Sequence, residues 1–340
     1  MNCKKSLQMI VLAMVLALGF SFHAGAAEYN WRMQHSWGAA ENHHFENFAK
    51  VVNEMSGGRI EIKVFADGEL VDVEKIGDAV AAGTIDIGHT HPDYLMGAVP
   101  VGELEGAPFL WSNMEQEFAH IFRYGIADIY TEAFEKRYKI SVLGFQLCDK
   151  GTLAFTKEVN SLEDMKGMNI NVQDPYATFL HELVGASSVY MGAEELYTSL
   201  SRNVLQGVEY GGAKAMYDMS LPEVTKTFLL PYHQIAWAPF YFINKNKFEK
   251  LPDDLKAILK KAVDVNTIYM MSFYAEKEQE ALRLMQEKYG MKVTYLPEKD
   301  VKILRQKTID WLKNDFAKKG PYCKKAADAT LKALGDFGLL

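Results

Sequence analysis

Residues 161–211 alternate between strand-like and helix-like patterns, and this alternation restricts the chain to few folds. The predicted strands are 168–172, 188–191 and 208–210, and the predicted helices begin at Asp174 and at Glu194. Strands that follow one another through helices build a parallel sheet. Ligands of such sheets bind at the carboxyl ends of the strands. The pattern therefore predicts a site at 171–173, 191–193 and 209–211.

Residues 29–88 show the same order of strand and helix patterns. The predicted strands are 29–34, 59–65 and 85–88, and the predicted helices are 41–55 and 73–83. Two such units predict two similar α/β domains, which a length of 340 residues allows. After Pro252 the chain continues to Tyr289 without Gly or Pro, and this run predicts one unusually long helix.

The first 26 residues predict a secretory signal peptide. Lys4 and Lys5 precede an apolar run at 7–20, and small residues follow at 24–26. A transmembrane anchor is the alternative, but this apolar run is short for a bilayer. We therefore expect an exported mature protein. With 44 acidic and 37 basic side chains, the chain does not indicate the clustered basic surface that nucleic acid requires.

Two cysteines, Cys148 and Cys323, remain after the predicted cleavage. They could form a disulfide in an oxidising compartment. They could equally be buried small residues that never pair. Their spacing in the sequence does not decide between these alternatives, because a disulfide depends on geometry.

Several phrases of the chain, in this order and spacing, resemble one family. It is that of the solute-binding proteins of tripartite ATP-independent periplasmic (TRAP) transporters, in the dicarboxylate-binding-protein branch. The phrases are SGGRIEIKVFADGEL at 56–70, VAAGTIDIG at 80–88, APFLW at 107–111, SLEDMKGMNINV at 161–172, VGASSVYMGAEELYTSL at 184–200, LQGVEY at 205–210 and FEKLPDDLKAILKKAV at 248–263.

This resemblance implies two Rossmann-like α/β domains of the type II-like periplasmic binding protein fold, with a ligand cleft between them and a long helix that spans both. We expect domain I to comprise 27–148 plus about 237–276, and domain II to comprise 149–236 plus about 277–340. The resemblance also implies a periplasmic protein that is not an enzyme, needs no cofactor and delivers its solute to small and large membrane permease subunits. A binding protein of an ATP-driven importer is an alternative.

Motifs of catalysis give no support to an enzyme. The chain has no G-x-S-x-G elbow, no Gly-rich phosphate loop and no H-E-x-x-H. A metal site remains an alternative, because His89 and His91 follow a predicted strand and His43 or His44 could join them. Without a Cys or acidic partner at a zinc-ligand spacing, these histidines could instead be polar lining of a cleft.

The candidate ligand-binding residues come from the strand ends and from the resemblance. They are Gln34, His35, Trp37, His91, Lys150, Asn171, Gln173, Met191, Glu209, Tyr210 and Trp237. The family usually places a carboxylate-binding arginine where this chain has Asn171, and a second arginine near 150–153, where Lys150 is the cation. Since lysine is a point charge and asparagine is neutral, the site does not demand a planar partner. We expect a small organic anion, either a short sulfonate such as isethionate or a small carboxylate.

Overall fold

A computed structural model describes residues 27–189 and 191–340; the predicted signal peptide lies outside the described residues. The strands of the described part are β1 (Tyr29–His35), β2 (Ile60–Phe65), β3 (Ile87–Thr90), β4 (Ile140–Phe145), β5 (Thr152–Phe155), β6 (Asn169–Asn171), β7 (Ser187–Ser188), β8 (Gly207–Tyr210), β9 (Thr227–Leu230), β10 (Phe240–Asn244) and β11 (Lys292–Tyr295). The α-helices are α1 (Asn42–Met55), α2 (Ile76–Ala82), α3 (Met114–Arg123), α4 (Ile126–Tyr138), α5 (Tyr176–Val184), α6 (Ala193–Ser201), α7 (Ala213–Asp218), α8 (Lys245–Glu249), α9 (Asp253–Tyr289), α10 (Glu298–Asn314) and α11 (Pro321–Asp336).

The first sheet has the strand order β2-β1-β3-β10-β4. Strand β1 pairs in parallel with β2 and with β3, as the β-α-β-α-β pattern of residues 29–88 predicts. Strand β10 comes from much later in the chain and pairs antiparallel with β3 and β4. The sheet is therefore mixed, with its carboxyl-end loops after β1 and β3 on one edge.

The second sheet has the order β11-β9-β5-β8-β6-β7. Strand β6 lies parallel to β7 and β8, which agrees with the alternation in 161–211. Strand β7 is shorter than the sequence predicts, because the backbone N–H of Met191 donates to the side chain of Asn171 at 2.9 Å and not to a neighbouring strand.

Each sheet is covered on both faces by apolar side chains. On one face of the first sheet, Met33 and Ile243 pack with Phe48 of α1 and Leu259 of α9. On the other face, Phe134 of α4 and residues of α11 complete the core. The second sheet has two corresponding clusters, one with α5 and one with α6 and α7. This arrangement is a two-domain α/β fold, as the sequence predicts.

Helix α9 extends through both domains. Its first half contributes Leu255 and Leu259 to the core of the first sheet, and its second half contributes Ala281 and Met285 to the core of the second. This 37-residue helix is therefore shared between the domains, as expected from the uninterrupted run that follows Pro252.

Helices α10 and α11 lead back to the first sheet. Leu304 of α10 lies in the second domain's core, whereas Ile309 and Trp311 of the same helix join the core that contains α11. The domain division expected from the sequence assigns about 277–340 to domain II. This division stays a prediction. Within the described residues, no helix is both long enough and apolar enough to cross a membrane. Cys148 and Cys323 are both free and buried.

Candidate functional site

Two chain segments, 146–151 and 233–239, connect the domains and run side by side. The backbone N–H of Cys148 donates to the carbonyl of Trp237 at 3.1 Å, and the N–H of Trp237 donates to the carbonyl of Asp149 at 3.0 Å. We call these two segments the hinge. They bring Lys150 and Trp237, both predicted as ligand-binding residues, to the junction between the domains.

Lys150 is half-buried at this junction, with its Nζ 4.6 Å from the centre of the Tyr232 ring. The next residue is Gly151, where a Cβ atom would lie 2.9 Å from the ring of Trp237 and 3.1 Å from the ring of His233. The two hinge segments therefore approach closely only because residue 151 has no side chain. In the described part of the chain, no carboxylate oxygen lies within 4.0 Å of the Lys150 ammonium.

An aromatic wall formed by Trp37, His91 and Trp237 lines the first domain's side of the junction. The indole Nε1–H of Trp37 donates to Nε2 of His91 at 2.9 Å. The edge of the Trp237 ring meets the His91 ring with 5.9 Å between their centres. The structure thus brings together three residues that the sequence analysis names from separate parts of the chain.

Glu105 fixes the orientation of His91. Its Oε1 lies 3.2 Å from Nδ1 of His91 and also accepts the backbone N–H of Ala238 at 2.7 Å. Because indole N–H groups only donate, Nε2 of His91 is an acceptor and the proton is on Nδ1, facing Glu105. Burial lowers the pKa of His91, but the Glu105 carboxylate opposes this effect and the pKa is raised overall. Protonating Nε2 would break the hydrogen bond to Trp37.

Two of the predicted residues use their polar atoms inside the first domain. Gln34 is fully buried, and its amide bonds the backbone of Leu70 and Val71 at 2.6–3.1 Å. His35 is also fully buried, contacts Asn42 at 2.7 Å and stacks on Phe45. Both side chains therefore support the loops of the first domain and do not face the hinge.

The histidine-based metal alternative finds little geometric support. His89 is fully buried, with its ring 4.7 Å from Phe45 and 4.6 Å from Tyr241. Burial holds the pKa of His89 well below its ordinary value. Among the described residues, the groups of donors that could share an ion are Glu41–His43–His44 and His91–Asp93–Glu105, and His89 is in neither. His91 already uses both nitrogens, so a metal there would have to replace its hydrogen bond to Trp37 or to Glu105.

The carboxyl ends of the second domain's strands meet through side chains. Asn171 is buried and accepts the N–H of Met191, as described above. Glu209 accepts the backbone N–H of Gln173 at 3.0 Å and contacts Nε2 of His233 at 2.6 Å. Tyr210, half-buried, packs against the cluster that includes Met216. These ends are thus brought together as the sheet pattern predicts.

A broad opening of about 810 Å³ lies between the domains. Asp93 and Tyr94 line it from the first domain, and Gln173, Thr178 and His181 line it from the second. Gln173 is the predicted ligand-binding residue in this lining. The opening borders the aromatic wall, because the Tyr94 ring lies 5.1 Å from that of His91.

Three acids at the junction are not among the residues that the sequence predicts for the site. Glu105 orients His91, Asp149 lies beside Lys150 in the hinge, and Glu278 of α9 accepts the N–H groups of Ala213 and Lys214. Glu278 lies in the long helical run. Because charged residues are frequent there, the sequence does not distinguish Glu278 from the others.

Two α/β domains joined by a paired hinge, with polar and aromatic side chains at the junction, define a two-domain binding protein. The chain belongs to the DctP family, bacterial extracellular solute-binding protein family 7, whose model matches residues 33–319. This family consists of transport proteins and not enzymes. The TRAP resemblance of the sequence is thereby confirmed.

Known proteins similar to this chain include one curated relative and two solved structures. The chain is 29% identical over 272 residues to the monocarboxylate 2-oxoacid-binding periplasmic protein all3028 of Nostoc sp.. This match covers 77% of this chain and 72% of the Nostoc protein. A TRAP transporter solute-binding protein of Bordetella bronchiseptica, with copurified calcium and picolinate, matches with a TM-score of 0.80 at 20% identity over 92% of this chain and 94% of that one. A TRAP periplasmic solute-binding protein of Chromohalobacter salexigens, with bound (S)-(+)-2-amino-1-propanol, matches with a TM-score of 0.78 at 22% identity over 91% and 96%.

Proposed function

We propose that this chain is the periplasmic capture protein of a TRAP transporter and that it binds a small organic anion between its two domains. One observation carries the proposal: the hinge that joins the domains also holds Lys150 and Trp237. A solute that contacts the hinge and both strand-end regions favours the closed arrangement of the domains. The closed protein then delivers the solute to the small and large permease subunits.

Lys150 is the cation that supports an anionic solute. It is half-buried and has no carboxylate partner among the described residues, so its charge is available to a ligand. Its position over the Tyr232 ring restrains the ammonium group near the junction. The Nostoc relative, named for monocarboxylate 2-oxoacids, also favours an organic acid.

The shape of the anionic group is the finer part of the proposal. The oxygen of the Asn171 amide accepts the backbone N–H of Met191, and the side chain offers N–H donors but no charge to a solute. A point charge and a neutral donor do not form the planar fork of an arginine. A short sulfonate such as isethionate is therefore proposed on equal terms with a small carboxylate.

Native mass spectrometry of the purified protein, searched for a co-purified solute, tests the capture role first. Calorimetry then compares a matched sulfonate and carboxylate, 2-hydroxyethanesulfonate and 3-hydroxypropanoate. Saturable binding of either supports the proposal. If only dicarboxylates bind, the proposed charge placement is wrong.

Substitutions at Lys150 and Asn171 separate the contributions of these two side chains to anion binding. Lys150→Ala should weaken anion binding about 10- to 150-fold, because a charge-assisted hydrogen bond contributes about 1.5–3 kcal/mol. Lys166→Ala is the matched control, since Lys166 pairs with Glu163 on the surface. Asn171→Arg should favour planar carboxylates over sulfonates. Unchanged affinity in Lys150→Ala would contradict the assignment of the anion to Lys150.

A further inference from the structure

Asp149 is a hinge carboxylate that the proposed anion site does not use. It is half-buried, and its oxygens accept the backbone N–H of Lys150 at 2.7 Å and of Gly212 at 3.2 Å. Each oxygen accepts one backbone N–H and therefore keeps a lone pair for a further donor. The backbone of Gly211 passes so close that a Cβ atom there would lie 2.3 Å from Oδ2. The absence of a side chain at residue 211 leaves this carboxylate accessible.

The charged groups around Asp149 are acidic, like Asp149 itself. Burial, followed by the nearby carboxylate of Glu278, raises the pKa of Asp149 to about 8, and Glu41 adds to this effect. In the part of the chain that the structure describes, no Lys, Arg or His nitrogen lies within 4.0 Å of its oxygens. An ionised Asp149 therefore lacks a positive partner, although Lys150 is the next residue.

The other acids of the junction differ in this respect. Glu209 contacts His233 at 2.6 Å, and Glu105 contacts His91 at 3.2 Å. Glu278 accepts three hydrogen bonds, from two backbone N–H groups and from the hydroxyl of Tyr232 at 2.7 Å. Asp149 differs from these three acids in its unused acceptor capacity and lack of a cationic partner, and it differs from Asp93, which also keeps an unpartnered oxygen, in being partly exposed.

Aromatic groups near Asp149 suit a positively charged ligand. The backbone N–H of Trp237 donates to the carbonyl of Asp149. Burial, followed by the Asp149 carboxylate, raises the pKa of Tyr274. Both rings are half-buried at the junction. Ammonium groups bind favourably to the faces of such rings, and more so when water is excluded.

We propose that the solute carries an ammonium group, which Asp149 accepts in the hinge, in addition to the anionic group that Lys150 holds. The inference rests on the proposed function and narrows it to short zwitterions, with the amine and the acid on neighbouring carbons. Because the two residues are adjacent in one hinge segment, both ends of such a solute would bind where the domains join. The ammonium group would also supply the positive charge that Asp149 lacks, and its binding would release the proton that the raised pKa of Asp149 retains at neutral pH.

Four probes that share a two-carbon chain test the two charges separately by calorimetry. They are 2-aminoethanesulfonate, 2-hydroxyethanesulfonate, 2-aminoethanol and ethane-1,2-diol, and the pair 3-aminopropanoate and 3-hydroxypropanoate repeats the comparison with a planar acid. We expect each amino acid probe to bind at least tenfold more tightly than its hydroxy analogue. Asp149→Asn should remove this preference, with about a 10- to 150-fold loss for the amino probes and little change for the hydroxy probes. Asp310→Asn, at an exposed position of α10, is the control and should retain the preference.

The outcomes distinguish this inference from the function on which it rests. Equal binding of amino and hydroxy acids overturns the ammonium assignment and leaves the anion-binding role intact. Binding of 2-aminoethanol as tight as that of 2-aminoethanesulfonate supports the ammonium assignment and contradicts the anion. Failure of all probes at millimolar concentrations overturns both. The comparison within the wild-type protein remains decisive if Asp149→Asn does not fold.

Discussion

Glu278 is a buried acceptor through which the long helix α9 contacts the amino end of α7, and its removal should destabilise the protein. Only 2% of Glu278 is exposed. Its Oε1 accepts the backbone N–H of Ala213 at 2.6 Å and the hydroxyl of Tyr232 at 2.7 Å, and its Oε2 accepts the N–H of Lys214 at 3.0 Å. Glu278→Ala would leave three donors without this acceptor.

The expected loss follows from the burial of these donors. A buried donor without a partner costs about 1–3 kcal/mol. Lys214 is half-buried and Tyr232 lies at the open junction, so water can replace part of what they lose. Because burial, followed by the Glu278 carboxylate, raises the pKa of Asp149 to about 8, Asp149 is mostly protonated at neutral pH, and removing the Glu278 charge relieves little repulsion there. We expect a net loss of about 3 kcal/mol in the free energy of unfolding.

Urea unfolding of the solute-free protein, followed by circular dichroism, measures this change. Glu280→Ala is the control on the same helix, because Glu280 is exposed and pairs with Lys277 at 2.8 Å. Its effect should stay within about 0.5 kcal/mol. A Glu278→Ala protein as stable as the control would show that the acceptor is dispensable and would refute the argument.

Three further predictions concern processing, closure and pH. The exported protein should begin near Ala27 by mass measurement, and a membrane-bound form that retains 1–26 would contradict this. The bound solute should reduce the radius of gyration in X-ray scattering and raise the melting temperature; a higher melting temperature with unchanged scattering would argue against closure. Because burial raises the pKa of Asp93 and Asp149 to about 8, their contribution to stability is present at low pH and is lost as the pH rises through 8. From about pH 6.5 to 8.5 the unfolding free energy should fall by about 2 kcal/mol per carboxyl, and Asp149→Asn should flatten the profile.

The order of strands and helices could be predicted because local patterns determine it. Strand β1 begins at Tyr29, as predicted, and α9 ends at Tyr289, before Gly290 in a left-handed conformation. The pairing partners of the strands are harder to predict from the sequence. Nothing in residues 240–244 indicates that this segment returns to pair with β3 and β4, because that pairing depends on contacts more than 90 residues apart in sequence.

The candidate site was predicted in part for the same reason. Trp37, His91 and Trp237 are prominent aromatic residues at predicted strand ends or in positions that the family uses, and they meet in one wall. Gln34 and His35 occupy an equally suggestive strand end, yet their side chains turn inward to bond Val71 and Asn42. Position along a strand identifies the edge of the sheet, but it does not identify the direction of each side chain at that edge.

The acids at the junction show why the charge of the site could not be assigned from the sequence. In the sequence, Glu278 resembles the many solvated charges of a long helix. It becomes a buried acceptor because the amino end of α7 packs against it. Asp149 then lies near a second carboxylate that is 129 positions away in the chain, and this proximity raises its pKa. Lys150 alone suggests an anion, whereas Lys150 beside an uncompensated Asp149 favours a solute with both charges. The chemical class of the ligand therefore depends on which distant carboxylates the fold brings to the hinge.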